Sequence, residues 1–312
     1  MITRILIRNK VVQMFYSYLL TKEGRTISNA KKELEKSLDK AYELYMSMLV
    51  LMIDLTDYHD LKLDEAKHKY LPTEHDINPN TRFADNKFIA KLRENEDLNE
   101  YLKETPISWR DDIIFMKLMH DKIVHSKVYA EYMNAESASY EDDCTLWREL
   151  LKKVVFVDDD LLEMLESKSV YWNDDLSVMG TFVLKTIKQF ANNPETATIQ
   201  KKYKDEEDNQ FGERLFECAV RENEENNKII DRFVQKEQWD TERIAFMDRV
   251  ILSVGLSEIK NFDNIPTKVS MNEYIELAKE YSSDKSYVFI NGVLNRVVND
   301  LRAENKLFKV VR

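Results

Sequence analysis

Five glycines and five prolines in 312 residues leave this chain short of the punctuation that β-hairpins and parallel-sheet crossovers need. Cysteine is scarcer still: Cys144 and Cys218 are too few for a disulfide framework, and the expectation is a cytoplasmic protein. Long apolar runs are missing too. The stretch MSMLVLMI at 46–53 is far shorter than the roughly 20 residues of a membrane-spanning helix. The apolar opening VVQMFYSYLL follows Arg4, Arg8 and Lys10 with no small-residue cleavage site, so it reads as a helix and not as a signal peptide.

What remains suits an all-α protein. A charged fraction of 33% provides solvated helix faces, and 43% hydrophobic residues suffice for a sizeable core. Apolar spacing predicts helices over 4–22, 27–56, 84–103, 109–134, 145–155, 158–167, 174–192, 211–236, 240–260, 268–281 and 285–303. The stretches 58–82, with Pro72 and Pro79, and 192–210, with Pro194 and KDEEDNQ, read as connections, the second being the better domain boundary. An internal echo is visible between LWRELLKKVV…YWNDDLSVM and FGERLFECAV…QWDTERIAFM, with Trp172 and Trp239 in matching places; ordinary helical periodicity produces similar echoes.

Charge is distributed unevenly within a net −11. Residues 1–25 carry Arg4, Arg8, Lys10, Lys22 and Arg25 against Glu23, a balance of +4. Residues 285–312 carry Lys285, Arg296, Arg302, Lys306, Lys309 and Arg312 against Asp300 and Glu304, again +4, which leaves −19 for the middle. An acidic protein can hold a phosphate backbone only where basic residues gather on one surface, so the two ends are the candidates. Metal chemistry has little support. One Glu-x-x-His unit occurs, Glu65 with His68, where a helical di-metal site needs two, and His120 and His125 point about 140° apart on a helix.

The most specific stretch is IPTKVSMNEYIELAKEYSSDKSYVFINGVLNRVV at 265–298, two amphipathic helices joined at Ser282, Ser283 and Asp284. Val269, Ile275, Ala278 and Tyr281 form the expected apolar stripe of the first helix, and Phe289, Gly292, Val293 and Val297 that of the second. A glycine inside a helix costs about 1 kcal/mol against alanine, so Gly292 suggests a close approach by another helix or a ligand.

At Pro266, Lys268, Val269, Asn272, Glu273, Ile275, Glu276, Leu277, Ala278, Lys279, Ser286, Phe289, Asn291, Gly292, Val293 and Leu294 this stretch resembles the signature of the NusB family of bacterial transcription antitermination factors. The resemblance continues at Trp239, Arg243, Ile244, Asp248, Arg249, Ile251, Leu252 and Glu258, and again at Arg4, Arg8, Val12, Gln13, Tyr16 and Ser17. It implies a NusB-like helical bundle of two packed subdomains. A basic N-terminal helix (1–20) and a C-terminal helical domain (211–312) would flank an inserted or divergent acidic region (21–210). It also implies that the N-terminal helix and the loop between the last two helices form one RNA-binding surface.

By that resemblance the protein would bind single-stranded boxA-type RNA together with the ribosomal protein NusE, as part of an RNA polymerase antitermination complex. Arg4, Arg8, Lys10, Tyr16, Tyr281, Lys285, Ser286 and Phe289 are the expected RNA contacts. Arg4 and Arg8, four apart, share a helix face, and aromatic rings beside Lys285 could stack on unpaired bases. The helix at 240–260 would turn Ile244, Met247, Ile251 and Val254 inward and leave Glu242, Asp248 and Arg249 to a basic protein partner. No reaction and no cofactor are expected. NusB-like domains also occur fused to RNA cytosine methyltransferases, but this chain has no GxGxxG after a strand and no proline-cysteine pair for that chemistry. The alternative is a helical scaffold that keeps the framework, recruits a protein through its acidic middle and binds no specific RNA.

Overall fold

The computed structural model describes residues 2–21, 23–172, 174–236, 244–304 and 307. Among the described residues there are fourteen α-helices and no strand. They are α1 (Arg4–Leu20), α2 (Ile27–Lys67), α3 (Glu74–Ile77), α4 (Lys87–Arg93), α5 (Glu96–Glu104), α6 (Ile113–Val124) and α7 (Lys127–Asn134). They continue with α8 (Tyr140–Leu150), α9 (Asp159–Lys168), α10 (Leu176–Asn192), α11 (Glu206–Lys236), α12 (Phe246–Asn261), α13 (Thr267–Tyr281) and α14 (Ser286–Ala303). The all-α class expected from the sequence is what the chain forms. Caps explain many of the starts: Thr3 accepts from the Leu6 amide, and Thr73 with Asp76 and Ser139 with Asp142 form reciprocal capping boxes.

The chain divides into two compact units. A terminal unit takes Ile2–Leu38 and the chain from Tyr203 onward, and an internal unit takes Asp39–Lys202. Residues 39–202 hold 32 acidic against 21 basic side chains, a balance of −11, so the internal segment carries the whole net charge of the protein and the rest is neutral.

In the terminal unit α12 is the central helix: every residue of 250–259 is buried, with α11, α13, α1 and α14 packed around it. A helix surrounded on all sides has to be apolar or small all round, and its polar members need internal partners. Asn226 of α11 supplies one, its side-chain amide donating to the Ser253 carbonyl at 3.0 Å and the Ser257 hydroxyl at 2.9 Å. Gly255 lets the Tyr274 ring approach so closely that a Cβ there would lie 3.1 Å from it. This explains a difference from expectation on α13, where the buried stripe is Ser270, Met271, Tyr274, Leu277 and Ala278 while Val269 is exposed and Ile275 half-buried. Tyr274 over Gly255 sets the rotation of the helix. The close approach expected at Gly292 belongs to Gly255 instead: a Cβ at Gly292 would meet nothing within 4 Å among the described residues.

In the internal unit α2 runs to Lys67, well past the predicted end at 56, because no glycine or proline interrupts the chain before Pro72 and His59 adds a buried position. Trp109 is buried with its indole N–H on the Ser47 carbonyl at 2.9 Å, and Trp147, Phe83 and Phe88 fill the neighbouring core. The internal echo is not repeated in local structure. The first copy breaks after a π-helical turn at Leu151–Val155 into α8 and α9, whereas the second runs unbroken as α11, and Trp239 lies outside the described residues. His120 is buried and hydrogen-bonds the buried His59 at 2.9 Å, while His125 is exposed with Nδ1 on the Asp121 carbonyl.

Candidate nucleic-acid interface

Helix α1 presents two unlike faces. A helix advances 100° per residue, which puts Arg4 and Arg8 on one side and Asn9, Gln13 and Tyr16 on another. The second side meets the end of α13: the Gln13 amide donates to the Tyr281 hydroxyl at 3.0 Å, and Asn9 reaches Glu280 at 3.5 Å. Tyr16 packs on Phe246 with ring centres 5.1 Å apart, and Phe246, which opens α12, is 41% exposed. Arg25, in the α1–α2 connection, donates to the Ser17 hydroxyl at 3.2 Å. Exposed Lys285 immediately precedes α14. Half-buried aromatic rings, amides and two cations therefore gather where α1 meets the α13–α14 turn. Phe289 is half-buried one turn further on.

The arginines of the first face are occupied elsewhere. Arg8, expected to grip a phosphate, is 3% exposed and forms a two-pronged ion pair with Glu258 of α12, Nε to Oε2 at 2.7 Å and Nη2 to Oε1 at 2.9 Å. Glu258 is fully buried and also accepts from the Tyr274 hydroxyl at 2.8 Å. Burial works against the Arg8 charge, but the hydrogen bonds and negative charge of Glu258 outweigh it and raise the pKa of the guanidinium. Burial raises the Glu273 carboxyl, an effect that Arg8 at 3.8 Å opposes, and burial pushes the Tyr274 phenol well above its ordinary value. Arg4 pairs with Asp208 at 2.6 Å and Glu207 at 3.1 Å in the acidic first turn of α11, over the Phe211 ring. Lys10, another expected contact, is buried. The neutralising carboxylates come from α11 and α12, some 200 and 250 residues away in sequence, which is why spacing on α1 alone misplaced these side chains.

Two further expectations change for one reason. Asp248, expected on a partner surface, and Ser286, expected on RNA, are both buried and bonded to each other, Ser286 Oγ donating to Oδ2 at 2.9 Å while Ser282 Oγ donates to Oδ1 at 2.5 Å. Because α12 is central, Asp248 in its first turn faces the α13–α14 turn and not solvent. Arg249 is partly exposed and pairs with Asp231 at 2.8 Å. Glu242 lies outside the described residues, as do Lys22, Arg243, Lys306, Lys309 and Arg312. Asn9, Arg25 and Phe246 are members of the surface that the sequence reading did not single out, whereas Gln13 stood among the residues of the resemblance.

The terminal unit is thus a helical bundle with α12 threaded through its centre and with its N-terminal helix joined to the turn before the last helix. The sequence model of the NusB family matches residues 174–299. Three proteins named transcription antitermination protein NusB are similar over part of the chain. That of Natranaerobius thermophilus is 43% identical over 98 residues, 31% of this chain and 70% of that protein. That of Salinibacter ruber is 37% identical over 102 residues, 33% of this chain and 62% of that protein, and that of Koribacter versatilis 37% over 133 residues, 42% and 90%. The chain belongs to the NusB family, and it is longer than these relatives. The family match begins at 174, upstream of the residues at 239–294 that carried most of the resemblance, and it does not include those at 4–17. No solved structure matches. No helix among the described residues is long and apolar enough to cross a membrane.

Proposed function

We propose that this protein is a non-catalytic transcription antitermination factor. In the cytoplasm, together with the ribosomal protein NusE, it binds single-stranded boxA-type RNA of ribosomal RNA leaders and helps RNA polymerase continue through those operons. Family membership supports the transcriptional role. The observation that carries the RNA surface is the hydrogen bond from Gln13 to Tyr281, which joins α1 to the turn bearing Lys285. Tyr16, Tyr281 and Phe289 offer ring faces for unpaired bases, while Lys285 and Arg25 offer charge for phosphate. Arg4 contributes less than its position suggests, since two carboxylates already hold it. Arg249 and Glu242 stay with the proposed partner surface. The terminal unit, neutral overall, repels RNA less than the −11 internal segment does.

A second reading, a helical scaffold with no specific RNA, is favoured by the burial of Arg8 and by the concentration of acid in residues 39–202. Binding of the whole chain to boxA-type and scrambled RNAs over a salt series, with and without NusE, separates the two. The antitermination reading expects boxA-selective binding strengthened by NusE. Equal, weak binding to both RNAs in either condition supports the scaffold.

A further inference from the structure

We propose that Asp248 is a positioning residue for the RNA surface: from beneath, it clamps both ends of the α13–α14 turn and so fixes Tyr281 and Lys285 relative to α1. The inference rests on the RNA reading above and assigns to a buried acid a task in it. Asp248 sits in the first turn of α12 with its two carboxylate oxygens divided between two serines four residues apart, Oδ1 taking the Ser282 hydroxyl at 2.5 Å and Oδ2 the Ser286 hydroxyl at 2.9 Å.

The three serine hydroxyls join in one network around the carboxylate: Ser282 Oγ, besides its bond to Asp248, lies 3.0 Å from Ser286 Oγ, and because the one Ser286 proton goes to Asp248, Ser283, 2.8 Å away, donates to Ser286 as well. The backbone adds the Ser286 amide on the Ser283 carbonyl at 2.8 Å and the Ser282 amide on the Ala278 carbonyl at 3.1 Å. Tyr281 immediately precedes the clamped segment and Lys285 lies inside it, with Ser283, Asp284 and Lys285 exposed. No glycine or proline fixes this turn, so beside these backbone bonds its shape depends on side-chain bonds, and among the described residues the carboxylate they converge on comes from α12. Charged acceptors make the stronger hydrogen bonds, and a partly buried site keeps water from competing. A ligand that needs Tyr281 and Lys285 in one arrangement then meets a surface already ordered, which spares the cost of ordering it on binding.

A double-mutant cycle of Asp248→Ala with Lys285→Ala, in the full chain with boxA-type RNA and NusE, tests this. Asp248→Ala should weaken binding by a factor on the order of ten, and Lys285→Ala should then have little further effect. Hydrogen exchange should quicken at amides 283–288 while the other helices keep their protection. If Asp248→Ala does not fold, Asp248→Asn, which keeps the shape and one acceptor, enters the same cycle. Additive effects of the two substitutions, or unchanged exchange at the turn, would overturn the positioning role while leaving RNA binding intact. Failure of the wild-type chain to bind boxA-type RNA selectively would remove both the role and the reading it rests on.

Discussion

Arg8 and Glu258, 250 residues apart, meet in a buried two-pronged ion pair that fastens the N-terminal helix to the central helix of the terminal unit. The pair settles what one expected phosphate ligand does: Arg8 holds α1 in place so that Gln13, on another side of the same helix, can reach Tyr281. Breaking such a pair from one side leaves a buried charge without its partner. Arg8→Ala should therefore cost about 3–5 kcal/mol, and Arg8→Lys should rescue little because an ammonium cannot reproduce the fork. Urea unfolding midpoints of the terminal-unit transition check this, and a loss below about 1 kcal/mol would contradict it.

The salt dependence of RNA binding should tell the cations apart. Lys285→Ala should lower the slope of log Kd against log salt by about one contact, whereas Arg4→Ala, already neutralised by Glu207 and Asp208, should leave it nearly unchanged. The slope for each variant over a salt series decides. Equal reductions would show that the α11 carboxylates release Arg4 when RNA arrives.

Ring contact and hydrogen bond can be separated at Tyr281. Tyr281→Phe keeps the ring and loses the Gln13 bond, while Tyr281→Leu loses both the stack and the bond. The leucine variant should bind RNA more weakly by about 1–3 kcal/mol, and the phenylalanine variant should lose less than half of that. Titrations of both variants with the same RNA measure the difference.

Two glycines should respond in opposite directions to alanine. At Gly255 the new methyl meets the Tyr274 ring, itself held by Glu258, and the cost should be about 1–3 kcal/mol. At Gly292 the methyl meets open space inside α14, and the helix should gain up to about 1 kcal/mol. Thermal midpoints of the two variants give the signs directly.

The internal unit should weaken in mild acid. Burial, with the neighbouring His120, lowers the His59 pKa from its ordinary value to about 4. The unfolded chain therefore binds a proton near pH 6.5 that the folded one refuses. Stability is complete above that pH and falls as pH drops from about 6.5 towards 4, by an amount on the order of 3 kcal/mol. His59→Phe should flatten this dependence. Denaturant midpoints of wild type and variant between pH 7 and 4.5 supply the comparison, and parallel curves would show that His59 is not responsible.

The sequence made the helices legible where apolar spacing was long and the ends were marked, as at α1, α10 and α14, and the signature residues led to Gln13 and to the turn after Tyr281. Spacing along one helix cannot say which neighbour covers it. The two faces of α1, the rotation of α13 about Tyr274 and the inward turn of Asp248 all depend on α12 being surrounded; the apolar and small run at 250–257 is a local sign of this, but periodicity turned only Ile244, Met247, Ile251 and Val254 inward. The His59–His120 pair was hidden for a similar reason: its members are 61 residues apart and join two helices that the sequence does not connect.

The most direct test of the account is a hydrogen-exchange footprint of the whole chain with boxA-type RNA and NusE, compared with NusE alone. RNA should add protection at 13–17 and 281–289 and leave residues 39–202 unchanged. Protection confined to 39–202, or none at the α1 and α13–α14 junction while the RNA is demonstrably bound, would contradict it.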